Sequence, residues 1–223
     1  MKPRLSNRLE GGLTLFEVVI VVVAVVVLAM LFLPVLAKAT RKASRIGCTN
    51  NLKQINLAYR IWAGDNHDLY PQGVPAAFGG SLELAEKGDA ASTFQVMSNE
   101  LSSVRILICN GLPGPGDTDH TYATNFNVLS NSNISYFVGV DVTNESNVSP
   151  ILSGDSNLQI DGKAVKPGLF SVCPNDPVNW SSIRHGHSGN IGLADGSVQS
   201  TTDTGLRDRI VETGIATNRL AIP

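Results

Sequence analysis

The chain has 223 residues and a net charge of −2, with 17 Lys and Arg against 19 Asp and Glu and only 16% charged residues in all. That balance carries no basic footprint of the kind that holds nucleic acid, and three scattered cysteines are too few for a structural zinc cluster. Sparse charge with abundant Gly, Asn, Ser and Thr suits a turn-rich β domain rather than a helical bundle.

The chain opens with a leader and an apolar segment. Residues 1–12 carry Lys2, Arg4 and Arg8 against Glu10 and end in Gly11-Gly12. Residues 18–37 hold no charge. At ~1.5 Å rise per residue such a helix spans about 30 Å, the thickness of a hydrocarbon core. With no water there to satisfy backbone groups, the helix is forced. Glu17 is the one charge at the head of this run, and a carboxylate at the edge of hydrocarbon is a functional candidate. A secretory signal peptide also begins basic and then apolar, and Ala37-Lys38-Ala39 has the form of a small-residue cleavage site, but a signal's apolar region is shorter. Neither a signal peptide nor a plain anchor accounts for both Gly11-Gly12 and Glu17.

Gly12, Leu13, Glu17 and Pro34, so spaced, resemble the N-terminus of type IV prepilins and of the pseudopilins of type II secretion. The resemblance implies that a membrane peptidase cuts between Gly12 and Leu13 and methylates the new amine at Leu13, where the family usually has Phe. It implies that Glu17 pairs with the amine of a neighbouring subunit, so that its burial is offset on assembly, and that Pro34 bends the helix. It further implies a single-pass protein of the bacterial inner membrane, its C-terminal domain in the periplasm. The implied partners are copies of itself, minor pilin-like subunits, the prepilin peptidase and the inner-membrane assembly machinery. Charge alone does not orient the segment, because Lys38, Arg41, Lys42 and Arg45 follow it.

Beyond the membrane the helix is expected to continue to about Gly64. Cys48, Leu52, Ile55, Tyr59 and Trp62 step by four, three, four and three, an apolar stripe on one face, with Lys53, Asn56 and Arg60 opposite. Short helices are expected at 82–87 and 94–101, strands at 104–109, 135–142, 149–152 and 169–173, an irregular loop at 111–119 and a turn at 143–148. A hairpin is expected from 191–194 and 197–201 across Asp195-Gly196, a strong two-residue turn signal, followed by a short helix at 206–213. The fold class is therefore α+β, pilin-like: a long N-terminal helix, its first half transmembrane, packed on a C-terminal antiparallel sheet of meandering strands. The divisions are leader 1–12, membrane helix 13–37, helix continuation 38–66 and soluble β-rich domain 67–223.

The C-terminal third holds Arg184-His185-Gly186-His187 and then Asp195-Gly196. His185 and Asp195-Gly196 resemble the H-x9-DG signature of pilin-like proteins of the planctomycete–verrucomicrobial type. Imidazole and carboxylate suit Zn²⁺, which makes His185, His187 and Asp195 a candidate metal set. Ca²⁺ is the rival, but Asp155, Asp161 and Asp176 form no dense acidic loop. The structural alternative has His185 bonding the Asp195 turn and locking the hairpin. In an oxidising compartment, Cys109–Cys173 is the candidate disulfide. No nucleophile elbow, P-loop or dinucleotide fingerprint occurs, so no catalysis and no obligatory cofactor are expected. The contrasting readings are a membrane-anchored binding or sensor domain that does not polymerise and a metal-dependent anchored enzyme.

Overall fold

A computed structural model describes residues 14–109, 121–144 and 150–223. Gly12, Leu13 and the rest of the leader lie outside these, as do the loop expected at 111–119 and most of the turn expected at 143–148. The chain forms two compact units, Met1–Lys42 and Ala43–Pro223.

The first helix, α1 (Leu15–Asp65), contributes to both units. In the first, Leu15–Leu33 is a 19-residue stretch long and apolar enough to cross a membrane, and none of it is buried within the protein. The backbone stays helical through position 34. In the second unit, Cys48, Leu52, Ile55, Tyr59 and Trp62 are all buried, as the stripe requires. Asn56, expected on the solvent side, is instead fully buried. The helix stops where Asn66 donates its side-chain amide to the Trp62 carbonyl at 2.8 Å. His67 and Asp68 then turn left-handed, a conformation short polar side chains tolerate and a helix cannot continue through.

After α1 come two short helices, α2 (Leu82–Ala85) and α3 (Ala90–Val96). Asp89 caps α3, accepting from the Ala91 and Ser92 amides as an N-cap carboxylate should. The strand expected at 104–109 is a 3-10 turn, Val104–Leu107. Ser103 accepts from the Arg105 amide at 3.2 Å and so starts a helical turn. Val104 and Leu107, three apart, are the two residues it buries, a spacing that a strand would split between opposite faces.

Nine strands follow among the described residues: β1 (Tyr136–Gly139), β2 (Ile151–Asp155), β3 (Leu158–Ile160), β4 (Lys163–Ala164), β5 (Gly168–Val172), β6 (Val178–Trp180), β7 (Ser188–Leu193), β8 (Val198–Thr202) and, after helix α4 (Asp203–Glu212), β9 (Asn218–Ile222). They form a six-stranded antiparallel sheet ordered β5-β9-β1-β2-β7-β8 and a three-stranded one ordered β4-β3-β6. The order is not a meander, because β9 enters between β5 and β1.

Both faces of the large sheet are covered. Tyr136 and Val138 of β1, Leu152 of β2 and Ala221 of β9 join the α1 stripe and Phe94 in one core. Their alternating neighbours Phe137, Ile151, Leu220 and Ile222 join Trp180 and the α4 residues Leu206 and Ile210 in a second. The period-two alternation of side chains thus serves two apolar layers instead of one core face and one wet face.

The β7–β8 hairpin closes through three residues, not two. Leu193 donates to the Ser197 carbonyl and accepts from the Gly196 amide, leaving Ala194, Asp195 and Gly196 in the loop. Asp195 accepts from the Ser197 amide at 2.8 Å, and Gly196 takes φ +85°, the arrangement of a type I turn with a left-handed glycine after it.

Candidate functional site

Two places gather the residues singled out by sequence, one in each unit. At the head of α1, Thr14 is the N-cap and Glu17 stands three residues into the helix. The Glu17 amide donates to Thr14 Oγ1 at 3.3 Å, and the Thr14 amide and hydroxyl donate to Glu17 Oε2 at 2.8 and 3.0 Å. This is a reciprocal capping box, which satisfies two of the helix's orphan donors. Both bonds given to the carboxylate fall on Oε2. The signal was in the sequence as T-x-x-E before an apolar run, and the reading of Glu17 as a lone charge passed over it.

In the second unit His185 sits in the connection between β6 and β7, buried, while its neighbours Gly186 and His187 are exposed. Successive left-handed residues there, Gly186 at φ +61° and His187 at φ +55°, turn the two histidines into different surroundings. His187 Nδ1 lies 4.0 Å from Asp203 Oδ2 at the start of α4. Asp195 is engaged by its own turn. His185, His187 and Asp195 are therefore not brought together as one ligand set, and His185 does not bond the Asp195 turn. Its partners are Cys109 Sγ, 3.1 Å from Nε2, and Asp155 Oδ2, 3.6 Å from Nε2.

The disulfide joins Cys48 to Cys109, not Cys109 to Cys173. Cys48 lies on the buried stripe of α1, and the 3-10 turn that ends at Leu107 carries Cys109 to it. Cys173 follows β5, half-buried and reduced, with its Sγ 3.6 Å from Thr217 Oγ1. Because the Cys109 sulfur is oxidised it has no proton to give, so the hydrogen bond to His185 has one donor, Nε2–H.

Asp155, at the end of β2, is fully buried. Its Oδ2 accepts from both the backbone and side-chain amides of Asn190, at 2.7 and 2.9 Å, while Oδ1 has no hydrogen-bond partner among the described residues. Burial pushes the carboxyl up to about 6, against the opposing pull of the Asn190 donors and the Arg184 and Arg45 guanidinium groups. Burial likewise pushes His185 down to about 4, and Arg45 and Arg184 push the same way. At neutral pH the imidazole is uncharged, and its approach to Asp155 is a polar contact rather than an ion pair.

The rest of the cluster fixes these groups in place. Arg45 of α1 donates to the His185 carbonyl at 2.6 Å, and Ser188 donates to the same oxygen at 2.7 Å. Arg184 donates to the Ser135 carbonyl. Asn190 accepts from Thr49 of α1 and Ser200 of β8. Sequence reasoning missed Cys48, Asp155, Asn190 and Arg45 as members of one site. They come from α1, β2 and β7, and no local spacing joins them. The arrangement ties the helix to the sheet through polar groups beside a disulfide. Compared with protein-family models, curated proteins and solved structures, the chain has no match in any of the three.

Proposed function

We propose that the chain is a structural subunit of a membrane-anchored filament, a pilin-like or pseudopilin-like protein whose work is polymerisation. The observation that carries this reading is the head of α1: an apolar stretch with no buried residue of its own, headed by one carboxylate at the third helical position and followed by an antiparallel sheet domain. A leader ending in Gly12 would be cut before Leu13 and the new amine methylated. The freed amine of one subunit would pair with Glu17 of the next, and the apolar helices would form the filament core. The protein would start as a single-pass subunit of a bacterial inner membrane with its sheet domain in the periplasm. Its partners would be copies of itself, minor pilin-like subunits, the peptidase and the assembly machinery, and it would act without catalysing a reaction. Mass spectrometry of the mature chain is expected to find it starting at a methylated Leu13; an intact leader overturns the proposal.

A second reading, an anchored binding or sensor domain that does not polymerise, draws on the capping box, which occupies Glu17 without any neighbour. One pair of variants separates the two. Gln at the third helical position still caps but carries no charge. Pairing with a neighbour's amine predicts that E17Q and Glu17→Ala both insert into the membrane and both lose filaments. A purely local cap predicts that E17Q behaves as the parent chain does.

A further inference from the structure

Cys48, Cys109 and His185 each offer a soft or borderline ligand atom, all within 4.8 Å of one another and all buried. Beside this set stands Asp155, whose Oδ2 is 3.6 Å from His185 Nε2 and whose Oδ1, on a fully buried side chain, has no hydrogen-bond partner among the described residues. A buried carboxylate oxygen without a donor is costly, and a cation is one of the few things that would satisfy it. The two distances from His185 Nε2 are close to those of a tetrahedral centre. Zn–S bonds of about 2.3 Å and Zn–N and Zn–O bonds of about 2.0–2.2 Å set neighbouring ligand atoms roughly 3.4–3.8 Å apart. His185 Nε2 stands 3.1 Å from Cys109 Sγ and 3.6 Å from Asp155 Oδ2. The sulfur pair, bonded in the oxidised chain, must open, and the Asp155 carboxylate must turn toward the sulfurs from its place beside His185.

We propose that, when the Cys48–Cys109 disulfide is reduced, Cys48, Cys109, His185 and Asp155 bind one divalent transition-metal ion of the Zn²⁺ type. Oxidation and metal binding are then alternative ways of closing the same point of the fold. A phosphine reductant supplies two electrons to the S–S bond, which breaks, while one water supplies the two protons of the resulting thiols and gives its oxygen to the phosphine oxide. The entering ion displaces those two protons, the imidazole proton moves from Nε2 to Nδ1, and the ion is held by two thiolates, Nε2 of neutral His185 and the Asp155 carboxylate. Two thiolates and a carboxylate around a dication leave one net negative charge, beside which Arg45 and Arg184 already stand, each hydrogen-bonded within the cluster. Bonds that position these groups are also present: Asn190 orients the carboxylate, and Arg45 and Ser188 fix the His185 backbone. The inference does not depend on the filament reading.

The test uses the full chain in detergent micelles with Cys173→Ser to remove the third thiol, reduced by a phosphine under anaerobic conditions and titrated with Co²⁺ alone, then Zn²⁺. Expected are one equivalent of bound ion, thiolate-to-cobalt charge transfer with the visible bands of tetrahedral Co²⁺, displacement by Zn²⁺, and no uptake by the oxidised chain. His185→Ala and Asp155→Asn are each expected to weaken binding by roughly tenfold or more. Circular dichroism follows the fold in parallel. The proposal is overturned if the reduced chain takes up no ion, if the two variants bind as tightly as their parent, or if a reduced chain that has lost its sheet signal is not restored by one equivalent of Zn²⁺.

Discussion

Asp155 and His185 shift in opposite directions, and the consequence is a cancellation. Between pH about 4 and 6 the folded chain holds a proton on Asp155 that the unfolded chain has released, so this group's contribution falls as pH rises through 6. Between about 4 and 6.5 the unfolded chain protonates His185 and the folded one does not, so that contribution rises with pH. In the oxidised chain these two contributions should therefore nearly cancel from pH 4 to 6. Asp155→Asn removes the falling term, and its stability should climb by up to about 1.4 kcal/mol per pH unit over that interval, read from denaturant midpoints. A flat profile for the variant would refute the assignment. Asn56 is a second residue whose weight is in its bonds: it donates to the Leu193 and Ser197 carbonyls and accepts from Ser153. Asn56→Ala strands these partners and should cost about 2–3 kcal/mol, followed by the fluorescence of Trp62 and Trp180, one in each core. Neither role could be read from spacing. Asn56 looked solvated because it lies between stripe positions, and His185 looked paired with Asp195 because the two are close in sequence, whereas burial and partners were set by strands far away along the chain.

At the scale of elements, legibility followed how local the cause was. The α1 stripe, the β7–β8 hairpin and α4 are signalled by patterns within a few residues, and all three were foreseen with small errors of boundary. The 3-10 turn at Val104–Leu107 was misread because β-branched content outweighed a Ser103 cap that selects a helical turn. Gly196 tests the hairpin directly. At φ +85° a side chain is strained, and an added Cβ would also meet Arg60 Cδ at 3.0 Å. Gly196→Ala should destabilise by about 1 kcal/mol or somewhat more, most of it from the backbone because the arginine chain can move aside. A thermal midpoint equal to the parent's would show that the turn tolerates another conformation.

For the molecule as a whole, the Cys48–Cys109 bridge spans a sequence separation of 61. Closing a loop of that length restricts the unfolded chain by about 4 kcal/mol on the chain-entropy account. The double substitution of both cysteines by Ala should lower unfolding free energy by up to that amount, and an unchanged denaturant midpoint would show that the bridge constrains nothing. The pairing itself was hidden in the sequence because Cys48 had a sufficient explanation as a core residue of the stripe. The strand order was equally hidden, since nothing local to β9 places it between β5 and β1. That placement bears on how the domain is made. The fourth strand to be synthesised after β1 is still not its neighbour on that side; β1 must wait for residues 218–222, some eighty positions later, to emerge. A chain growing from its N-terminus can therefore display its apolar helix long before the sheet domain is able to close, so membrane insertion and domain folding are separated in time by the topology itself.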